Sequence, residues 1–308
     1  MTKIPVVFTG VVELVDSTEP PVEPPPIEIP PGDEGETNLT RLVELGGVHL
    51  GFEGWPNGTP VEVAEPRIIA ASDGTISADH AKGGTKSFKT FIDPGEGGYG
   101  SYGGILGESG ERPPRMMDGG EVWIRWYSYK PDDWKNECDP YMKFMRLETH
   151  KRDNDNTGGY SDCYLDGHQI QWISETEDAG WTEAPGIFNL RKGVWECYEM
   201  YTKLGSVSKD DGGDGYMIMW KNGIRMMETG HSTTLREAGG YSGRVLWHTW
   251  HQHNNGEGGG ATRRRHSYLD QWTIGYRGDT KDHGTLDTTS AMARDHLDFP
   301  MIGTHIEA

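Results

Sequence analysis

Cysteine is scarce in this chain. Cys138, Cys163 and Cys197 are odd in number and lack metal-ligand spacing, which points to reduced, buried thiols rather than a disulfide framework or a zinc site. Long apolar runs are missing, so no membrane-spanning helix is expected. The start, "MTKIPVVFTGVVELVDSTEPP", has its apolar stretch broken by Pro5, Thr9, Gly10 and Glu13. No small-residue cleavage site follows, so it does not read as a signal peptide, and synthesis in the cytosol is expected. Positive charge is in short supply: 29 Lys and Arg against 48 Asp and Glu give a net charge of −19. That argues against nucleic acid and anionic membranes as partners. It also disfavours a polyanionic substrate unless a local basic groove reverses the field. No long stretch keeps a helical period.

Glycine and tryptophan are abundant instead, at 44 and 11 of 308 residues. Glycine serves turns and aromatics serve strands, so the composition is that of a turn-rich β protein. Short strand-like runs alternate with Gly, Asp and Asn turns from about Leu42 to Arg277. Among them are "EVWIRWYSY", "YMKFMRLETH", "HQIQWIS", "VWECYEMYTKL", "RVLWHTWHQH" and "YLDQWTIGY". The Asn222-Gly223 pair between "YMIMWK" and "IRMM" predicts a two-residue hairpin turn. The expected fold is all-β, a two-sheet antiparallel β-sandwich with an extended N-terminal arm. Residues 1–16 read as an arm or docking segment rich in β-branched side chains. Residues 17–41 read as a linker whose acidic, Pro-rich part cannot form helix. Residues 42–277 read as the sandwich, and residues 278–308 as a C-terminal extension.

The order of several motifs resembles that of concanavalin A-like jelly rolls. "GFEGWPNGTP" and "DHAKGGTKSFKTF" are similar to the opening strands. "EVWIRWYSYKPDDW" followed by "KFMRLETH" is similar to inner strands of polysaccharide lyases of the alginate, glucuronan and heparin lyase type. "GVWECYEMYTKL" and "DGYMIMWKNGIRM" resemble their Trp-led strand and following hairpin. "RLE" (Arg146–Glu148) and "HQIQW" (His168–Trp172) resemble the Arg-Glu and Gln-Ile-His strands of alginate lyases, with Gln171 where the last His would stand. "YTKLG" echoes the Tyr-x-Lys-x-Gly strand. The resemblance covers roughly residues 45–277 and implies a jelly roll with carbohydrate as its ligand. The reaction does not follow from the fold, which hosts lectins, hydrolases, lyases and inert modules.

Side chains alternate along a strand, so each run divides into two faces. Met145 and Leu147 oppose Arg146, Glu148 and His150. Ile170 and Trp172 oppose Gln169, Gln171 and Ile173. Tyr198, Met200, Thr202 and Leu204 oppose Cys197, Glu199, Tyr201 and Lys203. Taking the polar sets as one concave face assembles Arg146, Glu148, Gln169, Gln171, Glu199, Tyr201 and Lys203 in a single groove. A uronate lyase needs a neutraliser for the carboxylate, a base for the adjacent proton and an acid for the leaving oxygen. Arg146 and Gln169 fit the first role, and Tyr201 or His248 the second. Glu148, Gln171, Lys203, Trp250 and Arg264 complete the expected glycan contacts. The bland alternative is a solvated groove held by Arg146–Glu148 and Glu199–Lys203 pairs.

In "LWHTWHQHNNGEGGGATRRRH", alternation places Trp247, Thr249, His251 and His253 on one face, and His248, Trp250 and Gln252 on the other. A lone His-x-His without a third ligand does not make a zinc site, so no metal is expected there. Trp250 beside His248 suits stacking on a sugar ring. "RDNDNTGG" and "DDGGDG" resemble calcium loops in part. They lack the bidentate Glu, so ordinary turns are expected, with calcium as the alternative and no other cofactor. The leading functional expectation is a carbohydrate-recognising protein, displayed on a phage particle through residues 1–36, that binds a surface polysaccharide, with its depolymerisation by β-elimination left open. The alternative is a non-catalytic structural virion protein, a capsid decoration or tail-associated subunit in an oligomer or larger assembly. A location outside the cell without a particle is the other possibility for its site of action.

Overall fold

Alternation accounts for the strands directly. In Glu121–Tyr129, Val122, Ile124 and Trp126 point inward while Trp123 and Arg125 point the other way. The computed structural model describes residues 42–65, 68–69, 74–92, 101–106, 113–134, 142–153, 157–166, 169–176, 182–186, 190–250, 265–282 and 284–288. Their strands form two antiparallel sheets facing one another. Sheet I runs in the order β13 (Ile224–Thr229), β12 (Tyr216–Lys221), β11 (Trp195–Lys203), β6 (Glu121–Tyr129), β15 (Arg265–Thr280), β4 (Ser87–Ile92) and β3 (Thr75–Ser77). The short strands β1 (Val48–Leu50) and β16 (Gly284–Asp287) also pair with β15. Sheet II runs β10 (Thr182–Gly186), β9 (Gln169–Ser174), β8 (Thr157–Asp166), β7 (Met142–His150), β14 (Tyr241–Trp250), β5 (Ser101–Leu106) and β2 (Ile68–Ile69).

The space between the sheets is filled by aromatic and sulfur-bearing side chains. Trp126 stacks on Tyr198 at 5.5 Å, and Phe144 of the opposite sheet meets the Tyr198 ring edge-on at 5.1 Å. Met200, Met219, Met145, Leu147, Val245 and Trp247 complete this layer. Each such side chain, fully removed from water, contributes about 1.5–3 kcal/mol. Cys163 and Cys197 are buried free thiols, as expected; Cys138 lies outside the described residues. A second apolar cluster sits on the far side of sheet I, where Leu42 and Leu45 cover Trp123, Tyr201, Ile218 and Trp220.

Asn222 and Gly223 adopt φ values of 49° and 77° between β12 and β13, the left-handed pair a two-residue hairpin requires. The expected domain end at Arg277 falls inside β15, and residues 284–287 pair back onto it, Asp287 opposite Arg277. The first part of the supposed extension is therefore a sheet strand. The arm and linker, residues 1–41, lie outside the described residues.

Candidate functional site

On β7, Met145 and Leu147 enter the core, so Arg146 and Glu148 must emerge on the outer face of sheet II. On β8, Cys163 is in the core and Asp162 faces out, directly opposite Arg146 in the register. The two form a buried ion pair, Arg146 Nε to Asp162 Oδ1 at 2.5 Å. Nη2 of Arg146 reaches Glu175 Oε2 at 2.7 Å, just beyond β9. The Tyr164 hydroxyl lies 3.0 Å from Asp162 Oδ2 and 2.7 Å from Glu175 Oε1 and donates to this carboxylate pair. The guanidinium also lies over the Tyr160 ring, 3.5 Å from its centroid. Burial pushes the Asp162 carboxyl up to about 7 despite Arg146, and burial with Asp162 drives the Tyr164 phenol far above its ordinary range.

Lys143 faces the same cluster. Its pKa falls to about 8, chiefly through burial and secondly through Arg146, while Asp162 and Glu175 oppose the shift. Strict alternation would put Lys143 on the core side with Met145 and Leu147. A register shift between Lys143 and Met145 reverses this and sends Phe144 into the core beside Met145. Among the described residues no ion pair engages the Lys143 ammonium. Further along the face, buried Glu148 grips Arg244 of β14 through Nε and through Nη2 at 2.9 Å, and the Arg244 side chain stays 29% exposed. His150 stacks on Tyr241 at 5.2 Å.

The expected single groove is corrected here. Because Tyr198 and Met200 face the core, Glu199, Tyr201 and Lys203 project from the outer face of sheet I, on the opposite side of the sandwich from Arg146 and Glu148. Tyr201 packs against Trp123 at 5.0 Å and Tyr216 at 5.4 Å. Burial and the Glu121 carboxylate raise its phenol far above the range of a base. Lys203 donates to the Gly119 carbonyl at 2.6 Å and pairs with Glu121 at 3.3 Å, not with Glu199. Arg146 pairs with Asp162 and Glu175, while Glu148 binds Arg244, so the expected Arg146–Glu148 pair is replaced as well.

Gln169 and Gln171 do lie in sheet II, opposite Asp166 and Tyr164 of β8. His248 and Trp250 end β14, paired with Tyr102 and Ser101 across register shifts. The side chains of these four residues are outside the description, as are Arg264, His251 and His253 altogether. "DDGGDG" forms a short turn in which the Ser208 hydroxyl donates to Asp211 at 2.7 Å. In "RDNDNTGG", residues 154–156 lie outside the described residues, and the segment runs into β8 from Thr157. Among the described residues no group of three His, Cys, Asp or Glu side chains is placed to hold a metal ion. Sequence reasoning passed over Lys143, Asp162, Tyr164, Glu175 and Arg244. The alternation of "YSDCYLD" held a signal for Asp162 and Tyr164, flanking Cys163 on the opposite face.

No protein-family model matches the chain, and no curated protein sequence does either. Solved structures do. The marine PL-14 alginate lyase from Aplysia kurodai superposes with a TM-score of 0.55 at 10% identity, over 74% of this chain and 97% of its own. Alginate lyase Aly36B gives 0.54 at 13% identity, over 74% and 96%. The endo-β-1,4-glucuronan lyase from the fungus Trichoderma reesei gives 0.49 at 14% identity, over 76% and 98%. The first two establish the jelly-roll fold, and the resemblance read from the motifs is to the same group of proteins.

Proposed function

We propose that the chain recognises a uronate-containing polysaccharide on the outer face of sheet II and cleaves it by β-elimination, with Lys143 as base. The observation that carries this reading is the lysine itself. It is an amine brought to about 8 beside a fixed cluster of charges, close enough to neutrality for general-base work. Arg244, part-exposed on the same face and held by buried Glu148, suits a substrate carboxylate, whose neutralisation acidifies the adjacent C–H. The Lys143 amine takes that proton, the electron pair forms the new C=C bond, and the glycosidic C–O bond breaks. The ammonium so formed returns the proton to the leaving oxygen. Tyr201, buried on sheet I, has no part in this scheme.

The test is incubation with alginate, glucuronan and heparin, reading ultraviolet absorbance of new unsaturated ends. Lys143→Ala is expected to lower the rate by roughly two to four orders of magnitude while Tyr201→Phe leaves it unchanged. Absence of product from all three substrates would remove the lyase reading, and retained binding in the same samples would leave a glycan-recognising module. Display on a phage particle, with the non-catalytic virion subunit as its limiting case, is supported by the sequence of residues 1–36 alone. Mass spectrometry of purified particles checks it, and the chain's absence from them sinks it.

A further inference from the structure

The loop that follows β1 surrounds a cavity of about 110 Å³, lined in part by His49, Phe52, Glu53, Trp55 and Glu65. It lies on the β1 side of sheet I and none of its residues belongs to the sheet II cluster. Trp55 is 39% exposed, the one aromatic among the exposed large apolar side chains of the described residues. An indole beside a cavity offers a flat apolar face and an N–H, the pair of features that the C–H face and the hydroxyls of a sugar ring can meet.

The loop carrying it is held in place from several sides. The Glu53 carboxylate accepts from Thr85 N at 3.0 Å, Thr85 Oγ1 at 3.0 Å and Lys86 N at 3.0 Å. Lys86 Nζ donates to the carbonyls of Glu53 and Trp55. Phe52 sits at φ 62° with its ring in the core, 5.6 Å from Phe88, a left-handed backbone that a bulky residue keeps only when its surroundings enforce it. A site fixed in this way loses little freedom when a ligand arrives.

One polar group inside is left over. His49 Nδ1 shares a hydrogen bond with Thr273 Oγ1 at 2.9 Å, and its Nε2 lies beside Gly51 of the cavity wall. Among the described residues Nε2 has no hydrogen-bond partner. Burial, reinforced by Arg125, brings the imidazole down to about 4, so it is uncharged at neutral pH. An uncharged nitrogen exchanges hydrogen bonds with hydroxyls, while the carboxylates of Glu53 and Glu65 repel an anionic sugar.

We propose that this cavity is a second glycan-contact site, independent of the sheet II reading, which takes one neutral sugar residue. The apolar face of the sugar lies on Trp55 and a hydroxyl meets His49 Nε2. The experiment is saturation-transfer NMR on the full chain with the methyl glycosides of glucose, galactose, mannose, rhamnose and glucuronic acid. At least one neutral glycoside is expected to receive saturation in preference to the glucuronide. Trp55→Ala should weaken that binding on the order of tenfold, His49→Gln should weaken it too, and Lys143→Ala should leave it intact. The proposal is overturned if no neutral glycoside responds, if the glucuronide is preferred, if Lys143→Ala abolishes the signal, or if folded Trp55→Ala and His49→Gln bind as the parent does.

Discussion

Arg146→Ala is expected to destabilise the fold by about 3–5 kcal/mol, the range found when one partner of a buried ion pair is removed. The substitution leaves fully buried Asp162 and its neighbour Glu175 with a shared tyrosine hydroxyl and without their guanidinium. It also empties the face of Tyr160, on which the guanidinium rests. Total stabilities of about 5–15 kcal/mol make such a loss a large fraction of the whole. The penalty should shrink in acid, because Asp162 already binds its proton near neutrality and without Arg146 will bind it more readily still. Urea denaturation at pH 5 and pH 8 measures both effects. A loss below about 1 kcal/mol at pH 8, the scale of an exposed pair, would show that the cluster is not the buried network described.

Glu199→Gln is expected to act in the other direction. Glu199 is 1% exposed and neither carboxylate oxygen has a hydrogen-bond partner among the described residues. Burial raises its pKa from 4.5 to about 7, with Arg125, opposite it on β6, pulling the other way. The folded chain therefore holds a proton that the unfolded chain releases. The resulting stability is fully present below about 4.5 and is lost as the pH rises through about 7. Across that window the loss is at most about 3 kcal/mol. The Gln variant cannot ionise, so its advantage over the parent should be small at pH 4 and should grow to that order by pH 8. A parent–variant difference that stays flat with pH would refute the assignment. Asp162, raised by burial in the same way, should leave part of the parent's slope in the variant.

Much of the architecture is legible in local pattern. The division of β7 and β11 into core and outer faces and the left-handed Asn222-Gly223 turn follow from neighbouring residues, because alternation and turn geometry are short-range. The site is another matter. Arg146 meets Glu175 across 29 positions and Arg244 meets Glu148 across 96, and no local period encodes such partners. Lys143 was hidden by a different cause, a bulge that breaks the alternation on which the reading of its strand depends.

Taken alone, the residues decide that this chain forms strands, which side chains of most of them are apolar, and that the result is an antiparallel sandwich. They assign two polar faces, on "MKFMRLETH" and on "WECYEMYTK", that look alike and invite assembly into one groove. Only strand pairing separates them, placing β7 beside β8 and β14, and β11 beside β6 and β12. The physical reason is that a strand's pattern specifies that it has an inside and an outside. Hydrogen bonds to distant strands specify which of the two sheets it joins, and so toward which side of the sandwich its outward residues point.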